Sequence, residues 1–325
     1  MPPPLFLSTL ADRLSQYVAF RCLGGLNPDH QARLLVFFDR FVHQEGFQGP
    51  WPTRDLIQRY VVTTQRLHPG SRENRFCVLR QFCRFLRQFA PDCYLPQEEL
   101  RAGRRPVRLP HLYTEAEIGA IVSAARELEP RDSLRPKTYA TLFGLLYTTG
   151  LRCGEAFALN LGHLTLDRTL LYVAKGKFGK ARWVPISPST SAVLHGYIHE
   201  RAQVAPTTGE LPVFLTSTGR RLYHTNAHLA FRHILTRCGL RGGKGCSGPR
   251  LHDLRHSYAC TRVLQWYRQG KDVQALLPAL ATYLGHVNLS ATQVYLHATA
   301  ELLEHAQERF LDNFRENVLH RGDES

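Results

Sequence analysis

His252 and Arg255 stand three residues apart in the stretch LHDLRHSYAC, so a helix there carries an imidazole and a guanidinium on one face. His286 follows a Leu-Gly step further along, and Tyr295 lies nine residues beyond it. All four fall between Leu251 and Leu296. The imidazole and guanidinium can hold one anion together, and the phenol can attack it. A phosphodiester is the substrate this set of side chains suits. A phenol with a pKa of about 10 is a weak nucleophile at neutral pH and needs help to lose its proton.

Composition points the same way. The net charge is +14 and the pI about 9.7, a balance that binds polyanions, nucleic acid first and an anionic membrane surface second. No apolar run reaches the 18 residues that a membrane span needs. The start, MPPPLFLSTLADRL, lacks a basic leader and is broken by Asp12, so it does not read as a secretory signal. The eight Cys show no zinc-knuckle spacing: Cys77 and Cys83 are six apart, Cys238 and Cys246 eight apart. They are expected to be reduced, mostly core residues of a cytoplasmic protein. No metal and no cofactor is expected.

Three groups of elements must position this chemistry. Residues 1 to about 100 read as all-helical. Leu10, Leu14, Tyr17 and Val18 give a first helical stripe. Asn27-Pro28 is a cap followed by a first-turn proline, with Leu34, Leu35, Phe38, Phe41 and Val42 after it. Thr53 can cap a third helix carrying Leu56, Ile57, Tyr60 and Val61. Ser71 can cap a fourth, with Phe76, Leu79, Phe82, Leu86 and Phe89 facing inward. That helix also carries Arg72, Arg75, Arg80, Arg84 and Arg87 with few acids to balance them, which favours a DNA-backbone contact over a merely solvated face. Residues 101 to 112, RAGRRPVRLPHL, read as an extended basic linker whose Arg104 and Arg105 could also lie along DNA.

From 113 onwards, Thr114 to Glu117 is a capping box opening a helix through Glu127. A second helix runs from about Pro136 to a Gly150 stop, and Arg152 follows within TGLRCGEAFAL. A short helix should carry Glu155 and Leu159. Leu170 to Ala174 and Arg182 to Ile186 are strand-like and flank KGKFGK, the loop of a hairpin. Pro188 to Arg201 is helical, and Val213 to Leu215 reads as a short strand weakened by Pro212. Helices are expected near 226–238, 251–268, 272–284 and 289–297. A last one, near 300–318, has Leu302, Leu303, Ala306, Phe310 and Phe314 on one side. The fold class is mostly α with a small antiparallel sheet.

Taken in order, Arg152, Lys175, His252, Arg255, His286 and Tyr295 resemble the active site of the tyrosine recombinases, the phage-integrase and Xer-type family. The carriers are TGLRCGE, AKGKFGKARWVPI, LHDLRHSY, and LGH followed by eight residues and Tyr. Each motif alone is weak, and their order and spacing together are specific. The resemblance covers about 113 to 318, and residues 1–100 are similar to the family's helical core-binding domain. It implies a catalytic domain over 113–325 and a C-shaped clamp on duplex DNA.

The resemblance also assigns roles. Tyr295 attacks the scissile phosphate to give a 3′-phosphotyrosyl link and a free 5′-hydroxyl. Arg152 and Arg255 clamp the non-bridging oxygens, where charge grows in the transition state. His286 donates a further hydrogen bond, and His252 accepts the proton. Lys175 protonates the leaving oxygen, with Lys177 and Lys180 as near rivals. Glu155 orients an active-site cation. Tyr258 and Tyr283 are rivals for the nucleophile, but only Tyr295 has the spacing from His286. His256 reads as a structural neighbour. The cations do the charge work of a metal, and the tyrosyl link conserves bond energy, so ATP is not needed.

The family implication is a homo-tetramer on two sites, exchanging strands through a Holliday junction, with the 300–318 helix docked on the adjacent protomer. Room is left for an accessory recombinase or directionality protein. The start of the chain leaves little space for the arm-binding domain of larger phage integrases, which favours a mobile-element or chromosome-dimer recombinase. Other readings are a type IB topoisomerase, a non-catalytic DNA-binding protein and an unrelated structural protein. The first shares the chemistry but not the docking helix. The second explains the charge but not the intact set of six, and the third requires the motif order to be chance.

Overall fold

The computed structural model describes residues 6–23, 29–97, 110–165, 167, 169–174, 181–205, 210–241, 248–286 and 290–293. The chain divides into two compact units, residues 1–108 and 109–325, each with its own core. Among the described residues the fold is mostly α, with one two-stranded antiparallel sheet. No described helix is long and apolar enough to cross a membrane.

The first unit contains α1 (Ala11–Leu23), α2 (Asp29–Gln44), α3 (Arg54–Thr63) and α4 (Pro69–Leu86). Leu10, Leu14 and Tyr17 pack with Leu35, Phe38, Val42, Ile57, Leu79 and Phe82, so the apolar stripes do meet in one core. Thr53 caps α3 by accepting the Leu56 N–H at 3.3 Å. α4 departs from expectation at both ends. Its cap is His68, whose Nδ1 accepts from Gly70, not Ser71. Pro69 is the reason: it suits the first helical turn, where no N–H is needed, and moves the start three residues earlier. Phe89 lies beyond the helix end and is exposed rather than inward. The Asn27-Pro28 cap and linker residues 101–109 lie outside the described residues.

The second unit is built around α6 (Arg135–Thr149). Tyr139, Ala140, Leu142, Phe143, Leu145 and Leu146 are all buried, so most of the helix surface is covered, as an apolar central helix requires. α5 (Glu115–Arg126), α8 (Pro188–Arg201) and α10 (Asp253–Arg268) pack on it. The Thr114–Glu117 capping box is present in both directions. α7 (Cys153–Phe157) carries Glu155 but stops before Leu159. β1 (Leu170–Val173) pairs with β2 (Arg182–Pro185), Val173 opposite Arg182. α9 (His224–Arg237), α11 (Val273–Leu284) and α12 (Ser290–Gln293) complete the described elements. Val213 to Leu215 is buried but is not a strand: only isolated bridges flank it, Pro212 to Asn160 and Leu215 to Arg221. Proline there cannot donate a ladder bond. The helix near 300–318 lies outside the described residues.

Candidate active site

A helix end leaves its last carbonyls without partners inside the helix, and they carry the negative pole of its dipole. At the end of α11 three consecutive carbonyls are taken by three guanidiniums from three distant parts of the chain. Arg182 Nε donates to Tyr283 O, Arg255 Nη2 to Leu284 O and Arg152 Nη2 to Gly285 O, each at 2.7 Å. Gly285 closes the helix with φ 66°, and a Cβ there would lie 2.8 Å from Arg182 Nη1 and 3.3 Å from Arg152 Nη1. Backbone conformation and close approach both require glycine at this position.

Each arginine is held from a second side. Arg152 is the residue before α7, placed there by the left-handed Gly150 that ends α6. Arg255 sits in the first turn of α10, only 2% exposed, and also donates from Nη1 to Gly150 O at 2.7 Å. Arg182 opens β2, on the same sheet face as buried Val184. One carboxylate serves two of the cations. Glu155 Oε1 accepts from Arg152 Nη1 at 2.9 Å and Arg182 Nη1 at 3.0 Å. Its Oε2 accepts from Arg182 Nη2 at 2.9 Å and the Arg152 backbone N–H at 3.0 Å. Burial alone would raise the Glu155 carboxyl, but the hydrogen bonds from Arg182 and Arg152 outweigh it and hold it below its ordinary pKa.

His286 completes the cluster. Its Nε2 lies 2.9 Å from Arg255 Nη2 and its Nδ1 lies 2.7 Å from Thr292 Oγ1. Burial, then Arg255 and Arg152, push its pKa down to about 4, so the ring is neutral at pH 7. A guanidinium can only donate. Nε2 is therefore the acceptor and the proton sits on Nδ1, facing the Thr292 oxygen; this tautomer is assigned from the hydrogen-bond network. Three guanidiniums against one carboxylate leave the cluster cationic, suited to an anion. Arg152 keeps about a fifth of its side chain open to solvent (20%).

The family model described as the phage integrase family matches residues 112–301. This chain belongs to the phage integrase family. Its reaction class is that of a site-specific recombinase, an enzyme that breaks and rejoins DNA. It is 36% identical to a Sinorhizobium fredii protein, y4rB, that carries the designation integrase/recombinase, over 93% of this chain and 97% of that protein. It is 28% identical to the tyrosine recombinase XerC of Chlamydia trachomatis, over 77% of this chain and 74% of the other. Among solved structures it is similar in fold to the Tn1549 transposon integrase in complex with a circular intermediate DNA, with a TM-score of 0.65 at 15% identity, covering 94% of this chain and 100% of that one. It is likewise similar to the XerH recombinase in a post-cleavage complex with a palindromic difH substrate, with a TM-score of 0.63 at 20% identity, covering 90% and 83%.

Of the residues singled out in this integrase-family sequence, Arg152, Glu155, Arg255 and His286 come together. His252 occupies the residue before α10 without a side-chain cap hydrogen bond, its ring edge-on to His256 with centroids 5.0 Å apart. Burial against the protein, then His256 and Arg255, hold its pKa below that of a free imidazole. Lys175, with Lys177 and Lys180, and Tyr295 lie outside the described residues. The rival tyrosines do packing work. Tyr283 stacks on Tyr258 at 5.5 Å, Tyr258 fills the space a Gly150 Cβ would need, and burial raises the Tyr283 pKa.

Two participants escaped the sequence reading. Arg182 had a readable cue, because it shares strand parity with Val184. Thr292 had no local cue, since its partner is six residues away across a helix break. The arginines of α4 are not one uniform row. Arg75 lies over the Phe37 ring at 3.9 Å, Arg80 donates to Pro96 O at 2.9 Å and Arg87 to Cys93 O at 3.1 Å. Arg72 is half-buried, and Arg84 is exposed. Arg104 and Arg105 lie outside the described residues.

Proposed function

We propose that this chain cuts and rejoins double-stranded DNA with Tyr295 as nucleophile. The tyrosyl oxygen bonds to the scissile phosphorus as the bond to the 5′-oxygen breaks, leaving a 3′-phosphotyrosyl link. His252 takes the phenolic proton and Lys175 supplies one to the leaving oxygen. Arg152, Arg255 and His286 hold the non-bridging oxygens. Glu155 and Arg182 keep Arg152 in place. The reverse attack by a 5′-hydroxyl restores the phosphodiester without ATP. The observation that supports this reading is the convergence of Arg152, Arg255 and His286 on the end of α11, which builds a cationic, preorganised anion site from residues far apart in the sequence.

The wider assembly follows the family. A helical core-binding domain over residues 1–100 and a catalytic domain over 113–325 act together on DNA. Four copies exchange strands through a Holliday junction, with the segment near 300–318 docked on a neighbouring protomer. The setting is cytoplasmic, and the use is integration, excision or resolution of a mobile element or chromosome dimer. The test is covalent trapping on nicked suicide duplexes made from sequences flanking the gene. The native chain should yield a protein–DNA adduct that Tyr295→Phe loses while still binding. Duplexes that are bound specifically and never cut by the native chain would reduce the reading to DNA binding.

A further inference from the structure

The His286 imidazole faces two partners of different kinds. Arg255 can only donate to it, whereas a threonine hydroxyl can both accept and donate. Thr292 is fully buried, with its Oγ1 2.7 Å from Nδ1, and it stands three residues before Tyr295. Its hydroxyl therefore does more than fill space beside the ring. A carbonyl or carboxylate in its place would fix one tautomer, since neither can donate to Nδ1. A hydroxyl supports both.

We propose that Thr292 is a positioning residue that lets His286 change from acceptor to donor when a phosphate occupies the site. The inference rests on the proposed recombinase chemistry. Without DNA, Nδ1–H donates to Thr292 and Nε2 accepts from Arg255. A phosphate oxygen competes for the Arg255 Nη2 donor and offers an acceptor to the ring. One proton then leaves Nδ1 to solvent and one arrives at Nε2 from solvent, with no net change. The Thr292 hydroxyl turns to donate to Nδ1, and Nε2–H points at the phosphate oxygen. The ring keeps its orientation throughout, and the contact ties it to the segment that carries the nucleophile.

The first test reads the tautomer directly. In the full chain with ¹⁵N-labelled histidine, the His286 ring, assigned by loss of its signals in His286→Gln, should carry its proton on Nδ1. On binding nicked duplex in a Tyr295→Phe background the proton should be on Nε2. A proton on Nε2 in the free protein, or on Nδ1 in both states, overturns the proposal.

The second test is kinetic. Thr292→Val keeps the shape and removes the hydroxyl, and it should slow adduct formation about tenfold, the ratio expected for one lost hydrogen bond. Thr292→Ser should recover most of the rate. Equal rates for Val and native, or a Ser variant as slow as Val, would sink the idea. Absence of adduct from the native chain on a bound site would instead count against the recombinase chemistry, and the tautomer of the free protein would still decide the Thr292 contact.

Discussion

Gly285→Ala separates what backbone conformation costs from what guanidinium crowding costs, because another glycine provides the control. Gly219 has φ 71° and Gly285 has φ 66°, so both are left-handed. Around a Cβ at Gly219 nothing lies within 4 Å, whereas at Gly285 Arg182 Nη1 lies at 2.8 Å and Arg182 Cζ at 3.0 Å. An alanine in the left-handed region costs about 1–2 kcal/mol, and restricting the unfolded chain returns about 0.4–1 kcal/mol of that. Gly219→Ala should therefore lose about 1 kcal/mol. Gly285→Ala carries the same cost and also displaces a guanidinium pinned by Glu155 and by Tyr283 O. Losing one charge-assisted hydrogen bond adds about 1.5–3 kcal/mol, for a total of roughly 2.5–4 kcal/mol. Urea unfolding of both variants measures the difference. The adduct assay, run well below both midpoints, should show a loss of about a hundredfold for Gly285→Ala, because a displacement near 1 Å in an anion clamp costs that much. Gly219→Ala should cut at the native rate. Equal stability losses in the two variants would refute the argument that the arginines crowd this glycine, and an unchanged rate in Gly285→Ala would refute their catalytic placement.

Three further perturbations follow from the same geometry. Glu155→Gln keeps the shape but removes the buried charge that two partly exposed guanidiniums share, and should cost about 3–5 kcal/mol by urea unfolding; a loss under about 1 kcal/mol would mean the pairs are solvated. Stability should be steady above about pH 6.5, the ordinary histidine pKa, and fall as pH drops towards 4, because His286 is held neutral down to about 4 while the unfolded chain protonates earlier and so binds more protons. The His252 pKa is lowered in the same direction, and His286→Gln should flatten part of the slope in a pH series of urea midpoints. Arg84→Ala removes an exposed cation of α4 and should reduce the slope of log affinity against log salt by about 1 if it meets a phosphate; an unchanged slope would remove Arg84 from the DNA face.

The chemistry was legible because it sits in short motifs whose order survives without any structure. Arg152 in TGLRCGE, the His252–Arg255 pair and His286 after Leu-Gly were each visible as residues, and Gly150 was visible as a helix stop. Helix ends were legible where a side chain makes the cap, as at Thr53 and Thr114. They slipped at α4, where His68 with Pro69 outcompeted Ser71. What could not be read was long-range. Strand parity puts Arg182 on the face of buried Val184, but it does not say that Arg182 reaches Glu155 and the end of α11. The α4 arginines were read as one charged face, yet Arg75, Arg80 and Arg87 each have a partner in their own unit. Spacing gives the face of a helix, not which side chains fold back on it.

The end of α11 explains why this family chemistry can be assembled from such scattered residues. Three open carbonyls in a row accept three guanidiniums that would otherwise repel one another. The helix dipole offsets part of that repulsion, and Glu155 offsets more. The carboxylate and carbonyls together hold the three guanidiniums close to one another and to the His286 ring. Arg255 is the pivot, because it holds the end of α6 through Gly150 O, the end of α11 through Leu284 O and the His286 ring at once. Lysine could not replace it, since one ammonium on a flexible stem cannot span three acceptors set around a planar fork. In the proposed mechanism this arrangement preorganises the clamp, so the charge that develops at the phosphate meets donors already in position.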